Sequence, residues 1–251
     1  MGDMQRYPLL VFALSLFGLW LSVLIGAFLL GRVRPVKESE RQDLDFVVSA
    51  SLTLLALIIG FAFSMSVSRY DMRKNYEEEE ANAIGTEYAR ADLLQADAAA
   101  KVRQLLVQYL NERVLFYTVQ DEQQLNSIAA GTTKLQNEMW STAQSAAKEQ
   151  PTPVTALAVA GMNDVLNRQG YTQAAWWNQI PTGAWLLMIV LAVCCSILTG
   201  YRAVDRRSLL FPVLPFMVAI AFFLIADIDS PRRGIIHVQP QNLESLKQSL
   251  R

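Results

Sequence analysis

The sequence predicts an all-α membrane protein, with four transmembrane helices and a helical extramembrane bundle between the second and third spans. Three observations lead there. Charge is segregated: 22 Lys and Arg against 23 Asp and Glu leave a formal net charge of −1, yet four windows, about 8–30, 46–68, 182–200 and 208–226, are almost free of charge. Each approaches the ~20 residues an α-helix needs to cross hydrocarbon. Tyr7, Tyr70, Trp176, Trp177, Trp185 and Tyr201 lie near the window ends, where amphipathic rings favour the headgroup zone. Finally, the roughly 110 residues between the second and third windows are polar, rich in Ala, Gln, Leu and Glu and poor in β-branched runs, a helical composition.

The first run, "PLLVFALSLFGLWLSVLIGAFLL", is longer than the apolar core of a signal peptide and no small-x-small cleavage site follows it, so it is retained as a span. A short loop at 31–45 carries Arg32, Arg34, Lys37 and Arg41, and another at 201–207 carries Arg202, Arg206 and Arg207. Seven basic residues near span ends on the other side, Arg6, Arg69, Arg73, Lys74, Arg168, Arg232 and Arg233, match these seven, so the short loops lean only slightly toward the cytoplasm and the topology stays open. The second span meets no proline between 36 and 150, and Gly85 is the sole glycine between 61 and 130. A single helix from 46 to about 95 is expected, roughly 75 Å long, projecting from the membrane.

Leu94, Leu105, Leu106, Tyr109, Leu110, Val114 and Tyr117 mark a second helical stretch. A more polar one follows over about 121–148, and a further one over 153–169 after "QPTP", with Pro153 suited to a first helical turn. The expected domains are a transmembrane hairpin at 1–70, the helical module at 71–181, a second hairpin at 182–230 and a C-terminal tail at 231–251.

Enzyme chemistry has little support. There is no phosphate loop and no paired set of metal ligands, and the single histidine, His237, has no cysteine or second histidine nearby. Cys194 and Cys195 are adjacent inside the third span, where they act as small apolar residues. No cofactor, metal or nucleic-acid partner is expected. No predicted span carries Lys, Arg, Asp or Glu near its middle, which disfavours proton pumps and ion-coupled carriers.

A passive pore needs no such charge, because hydroxyl dipoles and apolar constrictions can select and gate. Along the second span Ser49, Thr53, Ala56, Gly60, Ser64 and Ser68 recur at three- and four-residue spacing, one small polar stripe that continues through Asp71, Asn75, Glu78, Asn82 and Gly85. It serves either close helix packing or the lining of a pore around an oligomeric axis. Ile59, Phe63 and Val67 form either an apolar neck or ordinary lipid-facing and core positions. In "RKNYEEEEANAIG" four consecutive glutamates point about 100° apart, so at most one or two face inward. Glu80, Asn82 and Glu87 are the candidates for packed polar contacts, and a solvated face is expected for Glu77 and Glu79. Gly85 marks either close backbone approach or a bend.

"FAFSMSVSRYDMRKNYEEEEANAIGTEYARADLL", together with "NDVLNRQG" before "QIP" and the C-terminal "IADIDSPRRGIIHVQPQNLESL", resembles the bacterial bestrophin-like membrane proteins. The resemblance implies four spans with helical soluble parts, an oligomer of pentameric type in a bacterial plasma membrane, and the second span around a pore for small inorganic anions such as chloride. Its signature positions are Ser68, Arg69, Tyr70, Asp71, Glu80, Asn82, Gly85, Thr86 and Arg90, then Asn163, Asp164 and Arg168, then Asp227, Asp229, Pro231, Arg232 and Gly234. "DIDSPRRG" sets only two carboxylates beside two arginines, short of the six to eight oxygens Ca²⁺ takes, so no calcium site is expected there. The alternative to a channel is a membrane-anchored helical sensor or scaffold without transport activity.

Overall fold

The structure is a computed structural model and describes residues 7–30, 38–202 and 212–250. Arg32, Arg34, Lys37, Arg206 and Arg207, on which the orientation of the short loops rests, lie outside the described residues.

Among the described residues the chain is helical and contains no strand. Helix α1 spans Pro8–Leu24 and continues as a π-helical turn over Ile25–Leu30. Helix α2 runs Glu38–Arg90 and ends in a 3₁₀ turn at Ala91–Leu93. Then come α3 (Ala96–Thr118), α4 (Glu122–Glu149), α5 (Pro153–Trp177), α6 (Thr182–Arg202), α7 (Val213–Asp229) and α8 (Gln241–Ser249).

Three of these differ from expectation. Helix α2 begins at Glu38 rather than 46, because polar "ESERQDLD" is made of residues a helix accepts and only its charge had set the boundary. Helix α5 continues from 169 to Trp177 through Gly170, where an added Cβ would meet nothing within 4 Å. Helix α8 lies in a segment expected only as a tail. The α2–α3 break carries neither glycine nor proline: Leu94 and Gln95 simply turn to extended backbone.

Local capping accounts for the starts of α4 and α5. The Asp121 carboxylate accepts from Gln124 N–H at 2.9 Å at the start of α4. At α5, Thr152 and Thr155 form a reciprocal capping box ahead of Pro153, which needs no backbone donor in the first turn.

The chain divides into two compact units. The first holds residues up to Tyr70 together with Gln179–His237. Within it α1 packs on α6 and α7, over a core of Leu19, Leu55, Trp185, Met188, Cys195, Phe222 and Ile225. The α1–α6 crossing is close enough to require glycine on both sides: a Cβ on Gly26 would collide with the Ile197 carbonyl, and one on Gly200 with the Val23 carbonyl. The buried Cys195 fills apolar core space, as a small apolar residue does.

Among the described residues three helical stretches are long and apolar enough to cross a membrane, within Pro8–Phe28, Ser39–Leu93 and Pro153–Arg202. The fourth expected window is represented by α7, 17 residues long, while 208–211 lie outside the described residues.

The second unit comprises Asp71–Asn178 and Val238–Arg251. Helix α3 packs against α4, α4 against α5, and α8 against α3. Ile84, Val102, Leu106, Tyr109, Met139, Met162, Val165 and Leu243 are buried at its centre.

Candidate functional site

The apolar part of α2 buries one face only. Val48, Leu55, Ala62 and Ser66 are buried, and the Ser66 hydroxyl donates to the Ala62 carbonyl at 3.0 Å. Away from that face, Ser49, Thr53, Ala56, Gly60, Ser64 and Ser68 are all exposed in the single chain. Thr53 donates to the Ser49 carbonyl at 2.9 Å, the local bond a hydroxyl makes on an unpartnered helix face. An added Cβ at Gly60 would meet nothing within 4 Å, so the stripe does not pack against this chain. Phe63 is exposed, and Ile59 and Val67 are half-buried.

Beyond residue 70 the exposed stripe passes through Asp71, Asn75, Glu78, Asn82 and Thr86. Asn82 is therefore exposed rather than packed as expected. Gly85 leaves the stripe and is half-buried, with Leu246 Cδ1 of α8 3.1 Å from where its Cβ would stand. The approach is by a side chain, not a backbone, and α2 continues as α-helix past Gly85 to Arg90.

The glutamate run resolves into distinct roles. Glu77, expected in solvent, is buried and accepts three hydrogen bonds: from Asn242 N–H at 2.9 Å, Asn242 Nδ2 at 2.6 Å and Leu243 N–H at 2.9 Å. Its carboxylate thus caps the first turn of α8, where exposed amides favour negative charge. Burial raises its pKa, while those three donors pull it down. Glu79 is partly exposed and pairs with Arg168.

Glu80, expected in a packed polar contact, is fully buried. It pairs with Arg113 Nε, reaches Arg113 Nη2 at 3.4 Å and accepts from the Thr172 hydroxyl at 3.1 Å, so it ties α2 to α3 and α5. Burial lowers the Arg113 pKa, but the Glu80 charge, the Glu80 hydrogen bond and the neighbouring Tyr109 and Tyr117 together outweigh it and hold the guanidinium above its ordinary value. The guanidinium also lies 4.3 Å from the Phe116 ring centroid, and Phe116, Tyr117 and Trp176 form an edge-to-face trio. Burial pushes the Tyr109 and Tyr117 hydroxyls up, and the Glu80 charge adds to it.

Glu87 is the second packed glutamate. It is fully buried, and neither carboxylate oxygen has a hydrogen-bond partner. It faces Gly161 of α5, where any Cβ would collide with Glu87 Oε2. Burial pushes its pKa up to about 8, with Arg90 lowering it and Asp164 raising it.

The remaining signature positions separate by environment. Arg69 reaches Asp229 at 3.4 Å, and Asp229 also accepts from Ile180 N–H at 2.9 Å. Asp227 accepts from Ile235 N–H at 2.7 Å and Ile236 N–H at 2.8 Å. Asp227 thus serves the turn after α7, and Asp229 ties the end of α7 to α2 and to the entry of α6. Asp71, Thr86, Asn163 and Asp164 are exposed, and Arg90 and Arg232 are half-buried. Among the described residues no group of three or more His, Cys, Asp or Glu is placed to hold a metal ion.

Sequence reasoning missed Arg113, Thr172 and Asn242. Arg113 stands four residues after Tyr109 and four before Tyr117, inside the apolar stripe of α3, and a charge in that register was the readable signal. Thr172 and Asn242 carry no comparable signal.

A family model described as a Bestrophin-like domain matches residues 17–243. Among solved structures, a point variant of a bacterial bestrophin homologue from Klebsiella pneumoniae matches with a TM-score of 0.65 at 16% identity, covering 94% of this chain and 97% of that one. A second structure of a bacterial bestrophin homologue from Klebsiella pneumoniae, phased on zinc, matches with a TM-score of 0.67 at 13% identity, covering 96% of each chain. At these identities the likeness is one of fold. No curated protein matches the chain in sequence.

Proposed function

Because the chain belongs to the Bestrophin-like family, whose members are channels and not enzymes, we propose that it is an oligomeric ion channel of a bacterial plasma membrane. It crosses the bilayer four times, over about 8–30, 46–68, 182–200 and 208–226. The module at 71–181 stands outside the membrane. Copies assemble around an axis, as a pentamer, with α2 lining an anion pathway suited to chloride.

The observation that carries this reading is the one-sided burial of α2. Its small hydroxyl-bearing face, Ser49 to Ser68, is left exposed by its own chain. A helix in hydrocarbon with a polar face needs a water-filled or protein-covered place to put it. Hydroxyl dipoles can receive a partly dehydrated anion there, and Ile59, Phe63 and Val67 supply an apolar constriction.

The test is flux from proteoliposomes, with ion preference read from the reversal potential in a chloride gradient. Phe63→Ala should raise flux by widening the neck, and Ser64→Leu should lower it. Wild-type flux no greater than that of empty liposomes, or a structure in lipid with no axial opening, would sink the proposal.

A further inference from the structure

Within the second unit the contacts between α2 and α5 run in antiparallel order. Tyr76 stacks on Tyr171 with ring centroids 6.0 Å apart, Glu79 pairs with Arg168, Glu80 accepts from the Thr172 hydroxyl at 3.1 Å, and Glu87 faces Gly161. Rings, charge and a hydrogen bond thus hold the second half of α5. The contact at Gly161 is of another kind. Glu87 is 0% exposed, and neither of its carboxyl oxygens has a hydrogen-bond partner. Its carboxyl occupies the place of the side chain that Gly161 lacks, and Arg90 Nη1 lies 2.6 Å from that same point.

A buried carboxyl with no donor is favoured in such a place as the neutral acid. Burial accordingly pushes its pKa up to about 8, with the Arg90 charge lowering it and the Asp164 charge of α5 raising it. Asp92, in the 3₁₀ turn that follows α2, is engaged by Arg103 of α3. Once the proton leaves for water, the carboxylate needs a counter-charge, and Arg90, three residues on along the same helix, is at pairing distance in sequence. The first half of α5 has little to resist such a move. Its buried residues are Thr155, Ala158, Gly161 and Met162, mostly small, and a non-helical link at 150–152 precedes it. A segment that buries so little apolar surface opens more readily than the core around it.

We propose that Glu87, Gly161 and Arg90 form a proton-operated latch: with its proton the Glu87 carboxyl seats α5 on α2 at Gly161, and without it the carboxylate turns to Arg90 and residues 153–164 loosen while 165–177 stay docked. The latch lies wholly within the second unit and is independent of ion conduction.

The test is hydrogen–deuterium exchange of the full chain in lipid, followed by mass spectrometry from about pH 6 to about pH 9.5 and corrected for the base catalysis of exchange itself. Opening releases the proton that the closed latch holds, so the opening constant rises about tenfold per pH unit until the closed form itself ionises. Protection of residues 153–164 should fall accordingly up to about pH 8 and level off above it, while that of 165–177 stays flat. Glu87→Gln keeps the shape of the neutral acid and should keep 153–164 protected throughout. Arg90→Gln should move the levelling point to higher pH and Asp164→Asn to lower pH, while Arg90→Lys should leave it near that of the wild type.

Protection of 153–164 that does not change with pH in the wild type overturns the proposal. A fall shared equally by 165–177 means that the unit opens as a whole, and a fall that persists in Glu87→Gln places the titrating group elsewhere; either overturns it as well. So does a levelling point that neither Arg90→Gln nor Asp164→Asn moves. A chain that conducts no ions but shows the local fall leaves the latch standing, so its failure and that of the channel reading are distinguishable.

Discussion

Glu80 and Arg113 form an ion pair in which neither side chain reaches solvent, at 0% and 1% exposure. Losing one partner leaves the other buried without its counter-charge, which costs about 3–5 kcal/mol, whereas losing both leaves only a packing change. Glu80→Gln and Arg113→Met should each lower the thermal unfolding midpoint sharply, and Glu80→Leu combined with Arg113→Met should lower it less than either alone. Additive losses in the double variant would show that the two groups are not coupled.

Glu87 sets a pH dependence of known sign. Its pKa rises from an ordinary 4.5 to about 8 on folding, so between those values the folded chain holds a proton that the unfolded chain has released. Its stabilising contribution is complete below about pH 4.5, declines as pH rises and is lost through about pH 8, amounting to roughly 5 kcal/mol at most. Glu87→Gln should flatten unfolding midpoints measured from pH 5 to pH 9, leaving the smaller slope of the same sign that Glu77 supplies. An unchanged slope in Glu87→Gln would falsify the assignment.

Gly85 and Glu79 should respond unequally to substitution. Gly85→Leu must displace Leu246, at a cost of about 1–3 kcal/mol for overpacking, and loosen α8. Glu79→Gln loses a half-exposed pair with Arg168, worth under about 1 kcal/mol. Limited proteolysis should therefore release the C-terminal residues of Gly85→Leu but not of Glu79→Gln. Equal resistance would mean that Leu246 swings aside without cost.

The α1–α6 crossing discriminates between a glycine inside the contact and one outside it. Gly200→Ala places a methyl on the Val23 carbonyl and should lower stability by 1 kcal/mol or more, about the cost of forced core shifts. Gly18→Ala, on α1 with nothing within 4 Å of its Cβ position, should be neutral or gain up to about 1 kcal/mol of helix propensity. Calorimetric midpoints of the two variants should move in opposite directions or differ by several degrees.

What could be read from the sequence was whatever depends on composition along one helix. The apolar windows, the break at "PTP" and the small stripe on α2 are of that kind, because exclusion of charge and a three- and four-residue spacing are properties of the chain itself. What depends on a distant partner could not be read. Glu77 left its expected solvated face and Glu79 kept largely to it, because α8 lies over one and not the other, and four adjacent glutamates differ only in direction. Gly85 was singled out for a close backbone approach or a bend, but it is a side chain that comes near it, and nothing before residue 246 tells which. Arg113 hid in plain view, since an apolar stripe is normally read by ignoring its charged member.

The bonds that bury Glu77 also order events in time. Its donors, Asn242 and Leu243, follow it by 165 and 166 positions, so during translation the carboxylate stays unmatched until α3 to α7 have all been made. The second unit can collapse around its other helices earlier but cannot close. A ribosome that stalls before residue 242 leaves a half-built core with an acidic group at its edge, a species for proteases to find. Synthesis of residues 242 and 243 and closure of this unit are thus tied together.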